Sequence, residues 1–250
     1  MLSVILITKN ESTHISRCLE SVSWADEIIV LDSGSSDDTV EQCKNFTDLV
    51  FETDWPGFGP QKQRALDKAT GDWVLSIDAD EWVTPELKGE IFEAIKSNTT
   101  NGFSIPRLSR YCGREMKHGG WWPDHVLRLF QRQHGHFTDD VVHERVIVNG
   151  TKSNLKHPLK HDAFVDTSEV LVKINQYSSL GAEKLLSKGK KTSFGKILIK
   201  TFWTFFKTYI LKLAFLDGRQ GFMLSVSNAE GTYYKYLKLL DIQDNNKNTK

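Results

Sequence analysis

Leu2–Ile7 is an unbroken apolar run that ends on Thr8-Lys9-Asn10-Glu11, and a run of this length bounded by polar residues predicts a buried strand. Ile15, Cys18, Leu19 and Val22 recur at helical spacing and predict a helix within Glu11–Val22. Glu27–Leu31 is a second apolar run, rich in Ile and Val. Ser33-Gly34-Ser35-Ser36 then reads as a turn, with Ser35 and Asp38 as a capping box for a helix from Asp37 to Phe46. Leu49–Glu52 predicts a short third strand, Trp55–Pro60 a Gly- and Pro-rich loop, and Gln61–Ala69 a helix. After the Gly71-Asp72 turn, Trp73–Ile77 predicts a fourth strand, and Pro85–Lys96 a helix with proline in its first turn.

Strand and helix alternate with short connections through residue 97. That pattern predicts an α/β fold, a mainly parallel sheet flanked by helices, whose ligands bind at the carboxyl ends of the strands. Beyond residue 100, Phe103–Ile105, Val126–Phe130 and Val141–Val148 read as strands, with an irregular stretch between Tyr111 and Asp124. From Ser168 onward the pattern is helical, and the polar tail Asp241–Lys250 is expected to fray. The chain is thus expected to divide into 1–160, with halves 1–97 and 98–160, and a helical, basic region 161–250.

The composition is that of a globular protein: 250 residues, 39% hydrophobic and 26% charged, which excludes a disordered or fibrous chain. Cys18, Cys43 and Cys112 are too few and too scattered for a disulfide framework or a structural zinc site. The N-terminal run has no basic flank and no small-residue cleavage site, so it is not read as a signal peptide, and a cytoplasmic setting is expected. The net charge of zero hides an asymmetry. Residues 1–100 hold 8 basic and 19 acidic side chains, and residues 101–250 hold 24 and 13. Between Lys184 and Leu216 there are eight lysines and no acid, set among aromatic and aliphatic residues. The lysine-free pieces are shorter than the roughly 20 apolar residues a spanning helix needs. A helix lying on the anionic inner membrane surface is the expectation, and a core helix with solvated lysines the alternative. No nucleic-acid-binding motif accompanies the charge.

Candidate chemistry sits at the predicted strand ends. In extended chain Asp78 and Asp80 point to one face, and hard divalent cations take carboxylates together with substrate phosphates. A D-x-D string alone is equally an acidic, solvated turn. Asp32 ends the second strand, where a carboxylate can accept a base N–H or simply cap the turn. Trp121 and Trp122, in a glycine-flanked loop, can stack on a sugar ring or pack in a core. An attacking hydroxyl needs a carboxylate to take its proton, and Asp124, Asp139, Asp140 and Glu144 are the candidates in the second half. His143 can complete a metal shell as neutral imidazole, or be structural.

Three strings in order, Val4–Glu11, Val30–Thr39 and Trp73–Glu81, resemble the N-terminal half of the family 2 glycosyltransferases, which have the GT-A fold. The resemblance implies a nucleotide-sugar donor, a Mg²⁺ or Mn²⁺ ion and inversion at the anomeric carbon. By position it implies that Asp32 binds the base, Asp80 the metal, and Asp78 the ribose or metal-bound water. Thr8, Asn10 and Glu11 fall on the donor side. Gly57–Arg64 resembles the start of the donor-side helix, which places Gln61 and Arg64 there too; Gln63 stands where many relatives have Asn. Pro123-Asp124, Arg128-Leu129-Phe130, His143-Glu144 and Phe215–Phe222 are similar to the lipopolysaccharide core glycosyltransferases that add β-linked glucose to inner-core heptose. That subgroup implies Glu144, then Asp124, as the base, with Arg128 offsetting diphosphate charge or pairing with a carboxylate. The expected activity is an inverting, metal-dependent transfer of glucose from UDP-glucose to an inner-core heptose, by an enzyme bound peripherally to the inner membrane. The alternatives are transfer to a polyprenyl phosphate or another surface polysaccharide, or a non-catalytic membrane-binding module for nucleotide-sugar.

Overall fold

A computed structural model describes residues 1–139 and 145–248. The chain divides into two compact units: Met1–Leu108 with Asp124–His161, and Ser109–Pro123 with the chain from Asp162 onward.

The first unit is built around strand β1 (Leu2–Thr8), buried along its whole length. It pairs in parallel with β2 (Glu27–Asp32) on one side and β4 (Trp73–Ser76) on the other, and β2 pairs in parallel with β3 (Val50–Glu52). The sheet then turns antiparallel: β8 (Asp124–Gln131) lies against β4, and β6 (Gly102–Tyr111) against β8. β5 (Glu81–Val83) pairs antiparallel with β12 (Leu159–Phe164). With β7 (Arg114–Glu115) and β11 (Lys152–Asn154) joined to β6, the ten-stranded sheet has the order β3-β2-β1-β4-β8-β6-β12-β5. β9 (Gly135–Phe137) and β10 (Val146–Val148) form a separate pair.

Strand side chains alternate between faces, and here both faces are covered. Val4, Leu6, Val30 and Leu75 pack with Ile15, Leu19 and Val22 of α1 (Ile15–Val22) and with Leu87 and Ile91 of α4 (Pro85–Ser97). Their neighbours Ile5, Ile7, Ile29, Leu31 and Val74 pack on the opposite face with Ala65 and Leu66 of α3 (Phe58–Lys68). This double covering is why the strands read as continuous apolar runs. α2 (Thr39–Lys44) completes the unit.

In the second unit α5 (Thr167–Ser187), α6 (Phe194–Phe206) and α7 (Gly218–Asn248) pack together. Tyr111, Met116, Val170 and Leu224 form its core. Asp217 is buried and accepts the backbone N–H groups of Lys117 at 3.0 Å and His118 at 2.7 Å. Among the described residues no helix is long and apolar enough to cross a membrane.

The α/β class with a helical C-terminal region is the expected one. Several boundaries differ. α3 begins at Phe58 rather than Gln61, because Gly59 and Pro60 fall in its first turn, where the N–H that proline lacks has no helical partner. The expected Ser35–Asp38 capping box does not form: α2 starts at Thr39, the N-cap Asp38 makes no side-chain bond, and the Ser35 hydroxyl turns to Asp32. The tail predicted to fray is helical to Asn248, as the last turns of α7. Of the strand expected over Val141–Val148, the part from Val146 is present; 141–144 lie outside the described residues.

Candidate active site

The carboxyl ends of β1 and β2 are knitted together by one loop. In register, Thr8 stands opposite Asp32. Asp32 has no exposed surface, and its Oδ1 accepts the N–H of Gly34 at 2.9 Å and of Ser35 at 2.8 Å. Its Oδ2 accepts the Ser35 hydroxyl. Gly34 has φ of +82°, which lets both N–H groups turn back onto one carboxylate. Asn10, also left-handed at φ +56°, donates its N–H to Ser35 Oγ and accepts that of Ser36, each at 2.8 Å. The Glu11 N–H reaches Thr39 Oγ1 at 2.8 Å, and the Glu11 carboxylate meets His14 Nδ1 at 3.2 Å. Hydrogen bonds from the Thr39 hydroxyl, with others from Thr39 and Ser12, hold the Asp37 carboxyl at about 2. Gln61, fully buried on α3, donates to Ser33 Oγ at 3.0 Å and Thr53 Oγ1 at 2.6 Å. Arg64, one turn on, bonds the Asp54 carboxylate at 2.7 Å. Thr8 Oγ1 is buried at the head of this loop and has no hydrogen-bond partner among the described residues. A buried hydroxyl left unpaired is costly.

A second cluster follows β4. Asp78 Oδ1 is 2.8 Å from Lys62 Nζ, and its Oδ2 bonds Arg128 Nη2. The same Nη2 reaches Glu81 Oε1 at 2.7 Å, while the other Glu81 oxygen accepts the Asp78 N–H at 2.9 Å. Arg107 touches Glu81 Oε1 at 3.4 Å and places two bonds, at 3.0 and 2.7 Å, on Asp124 Oδ2. Glu81 is wholly buried and Arg128 nearly so. Burial alone would raise the Asp78 carboxyl, but Arg128 and Lys62 overcome it and hold it well below the usual carboxylate range. Burial opposes the charge on Arg128 too, and Asp78 and Glu81 more than restore it. Cys18 lies beneath with its Sγ 3.5 Å from the Asp78 carbonyl oxygen; burial first, then the carboxylates of Glu81, Asp80 and Asp78, push its thiol well up.

Asp80 stands apart from this network. Its Oδ2 is 3.3 Å from His161 Nε2, and its side chain is partly open to solvent. No group of three or more His, Cys, Asp and Glu side chains forms a ready metal cage among the described residues. Asp80 and His161 nevertheless supply an oxygen and an imidazole nitrogen. That pair fits a divalent ion that completes its shell with phosphate oxygens and water.

Thr8, Asn10, Glu11, Asp32 and Gln61 are therefore gathered at the β1–β2 end, with Arg64 one helical turn from Gln61. Asp78, Asp124 and Arg128 are joined through Glu81 and Arg107. Asp78 is held by two cations, Lys62 and Arg128, and Asp80 faces His161. Glu144 and His143 lie outside the described residues. Trp121 and Trp122 belong to the second unit. There Trp121 packs against Tyr111 and Phe164, with centroids 5.8 and 6.1 Å away, as part of the core edge. Sequence reasoning missed Glu81, Arg107 and His161 and left Lys62 without a role. The signal was strand register: Arg107 pairs with Asp124, and His161 with Glu81.

The model of the family described as Glycosyl transferase family 2 matches residues 3–149. An uncharacterized glycosyltransferase of Rickettsia prowazekii is 31% identical over 254 residues, which cover 96% of this chain and 87% of that protein. A Rhizobium meliloti protein named lipopolysaccharide core biosynthesis glycosyltransferase LpsC is 29% identical over 252 residues, covering 94% and 89%. The crystal structure of S. aureus TarS 1-349 in complex with UDP-GlcNAc superposes with a TM-score of 0.48 at 15% identity, covering 98% of this chain and 92% of that one.

Proposed function

The chain belongs to glycosyl transferase family 2, and from that premise we propose that it moves glucose from UDP-glucose, with inversion, onto a hydroxyl of a lipopolysaccharide inner-core heptose. The observation that carries the reading is the unequal treatment of the two aspartates after β4. Asp78 is neutralised by Lys62 and Arg128, and Asp80 is offered to His161 and solvent. A strand end with one carboxylate locked by two cations and its neighbour, beside an imidazole, partly open to solvent suits a metal–diphosphate.

In this reading the nucleoside lies against the β1–β2 loop. The Asp32 Oδ2, which the Ser35 hydroxyl bonds, accepts a uracil N–H once that hydroxyl turns aside and uncovers it. Thr8 Oγ1, which has no partner among the described residues, bonds the nucleotide. Gln61 keeps Ser33 and Thr53 in place behind it, and Arg64 faces the donor side of α3. Asp80 and His161 would hold the divalent ion, and His143, outside the described residues, is the other imidazole the sequence offers; the ion would supply Lewis-acid neutralisation of the leaving diphosphate. Asp78, fixed by Arg128, orients the ribose side.

The acceptor hydroxyl loses its proton to a carboxylate, Glu144 or Asp124. Arg107 binds only Oδ2 of Asp124, and Oδ1 accepts no bond among the described residues. The lipopolysaccharide acceptor is supported by the likeness to LpsC over nearly the whole chain.

The test is release of nucleotide from a panel of UDP- and GDP-sugars, with Mg²⁺ or Mn²⁺, with and without heptose-terminated core lipopolysaccharide. Acceptor-stimulated UDP release from UDP-glucose is expected. Asp80→Ala should abolish it while the unfolding midpoint stays unchanged. Metal-dependent transfer surviving in Asp80→Ala would remove the metal assignment. Release stimulated only by a polyprenyl phosphate would replace the acceptor, and donor binding without any turnover would leave a nucleotide-sugar-binding module.

A further inference from the structure

α6 packs one stripe against the rest of its unit and leaves an apolar stripe open on the opposite face. At 3.6 residues per turn, Ile197, Thr201, Thr204 and Thr208 fall on one stripe. That stripe is the packed side: Ile197 is fully buried, Thr208 nearly so, and Thr204 Oγ1 lies 3.2 Å from Thr232 of α7. Leu198, Ile199, Phe202, Trp203 and Phe206 form the opposite stripe. Ile199 is 71% exposed, Phe202 70% and Trp203 53%. Phe206 stacks on both neighbours, with centroids 6.4 Å from Phe202 and 5.9 Å from Trp203. The apolar surface continues through Ile210, Leu211, Leu213, Phe215 and Leu216, all exposed. An open run of large side chains like this is rare on a protein that works free in water.

The charge beside it has one sign. Lys196, Lys200 and Lys207 line one edge of the exposed stripe, and Lys212 follows in the next turn; all are exposed. No acidic residue occurs between Lys184 and Leu216, and the first one after, Asp217, is buried under the N–H groups of Lys117 and His118. A second copy of the chain docked through the same face would bring no acidic partner from Lys184–Leu216 for these lysines. An anionic bilayer surface instead matches both halves of the pattern. It takes the aromatic stripe at the headgroup boundary and pairs the lysines with lipid phosphates. The 13 residues of α6 are too short to span a bilayer.

We propose that α6 and the turn after it are a membrane-docking surface, with α6 lying in the plane of an anionic bilayer and Phe202 and Trp203 inserted among the lipids. The surface is independent of the donor site and of the acceptor assigned above.

Flotation of the full chain with vesicles tests it, with no nucleotide present. Vesicles of phosphatidylcholine with phosphatidylglycerol are compared with phosphatidylcholine alone. The wild type should float with the anionic vesicles, and less so as salt is raised, because the Debye length falls from about 10 Å at 0.1 M to about 3 Å at 1 M. The double variant Phe202→Ser, Trp203→Ser should lose at least about tenfold in partitioning, since two large apolar side chains no longer enter the lipid. The triple variant Lys196→Gln, Lys200→Gln, Lys207→Gln should lose the salt-dependent part. These side chains point outward, and circular dichroism melting of each variant shows that the fold is kept. Equal partitioning of wild type and both variants would overturn the proposal. So would absence of vesicle binding together with a dimer that the Phe202→Ser, Trp203→Ser variant dissolves, which would make the face an interface between copies.

Discussion

Arg128 is the residue on which the second cluster depends. Its Nη2 lies between Asp78 and Glu81, and Glu81 has no exposed surface. Removing one partner of a buried ion network leaves the other charge uncompensated, which costs about 3–5 kcal/mol. Arg128→Met should therefore lose stability of that order at pH 7 in urea unfolding. The sign with pH follows from Asp78, whose carboxyl is held below its unfolded value. Its contribution is complete above the unfolded pKa, near 4, and is lost as pH falls through that value toward the lower folded one. Arg128→Met should thus differ most from wild type near neutrality, and the gap should narrow below about pH 4. A gap of constant size across that range would show that the loss is of packing and not of charge. At this scale the sequence showed the aspartates, because they interrupt apolar runs. It did not show Glu81, Arg107 or His161 as their partners, since those contacts depend on which strands lie side by side.

Among elements, the strands covered on both faces were the most legible. β1, β2 and β4 carry so many buried side chains that no polar alternation obscures them. β5, β11 and β12 went unread because they are short or polar: Lys152–Asn154 is exposed throughout, and β12 contains Lys160, His161 and Asp162. Pairing partners, not side-chain pattern, make these segments strands. α5 was legible from Ser168, one residue inside its observed start, and its cap explains the sharp beginning. Asp166 accepts the N–H of Glu169 at 2.9 Å, and the Glu169 carboxylate accepts that of Val165 at 2.8 Å. Asp166→Ala should cost about 1 kcal/mol, within the 0.5–2 range for N-cap removal. Chemical denaturation measures this, and Asp166→Asn, which keeps the accepting oxygen, should restore most of it. Failure of asparagine to rescue would assign the loss to charge.

For the whole molecule, the donor reading has a thermodynamic counterpart. A ligand that binds only the folded chain stabilises it by about 2.7 kcal/mol at a hundred times its dissociation constant. Saturating UDP with Mn²⁺ should raise the unfolding midpoint by several degrees, at about 2–4 °C per kcal/mol for a chain of this size. EDTA should remove most of that rise, and Asp80→Ala should show little of it. An equal rise with and without the ion would detach nucleotide binding from Asp80. The single division of the chain near residue 160 is what a linear reading suggests. The structure also groups Ser109–Pro123 with the C-terminal helices. That return was illegible because Tyr111, Met116 and Trp121 read as scattered apolar residues until their packing with Val170 and Leu224 is seen.

The excursion at Ser109–Pro123 has a consequence for the chain as it is made. Tyr111 bonds Ser227 at 2.8 Å, and the Lys117 and His118 N–H groups need Asp217, so each waits on partners 99 to 116 positions further along. At a synthesis rate of about 5–20 residues per second, that wait is roughly 5–20 s. Through that interval the nascent chain carries Met116 and Trp121 without their native cover, and a ribosome stalled before α7 would present them to chaperones.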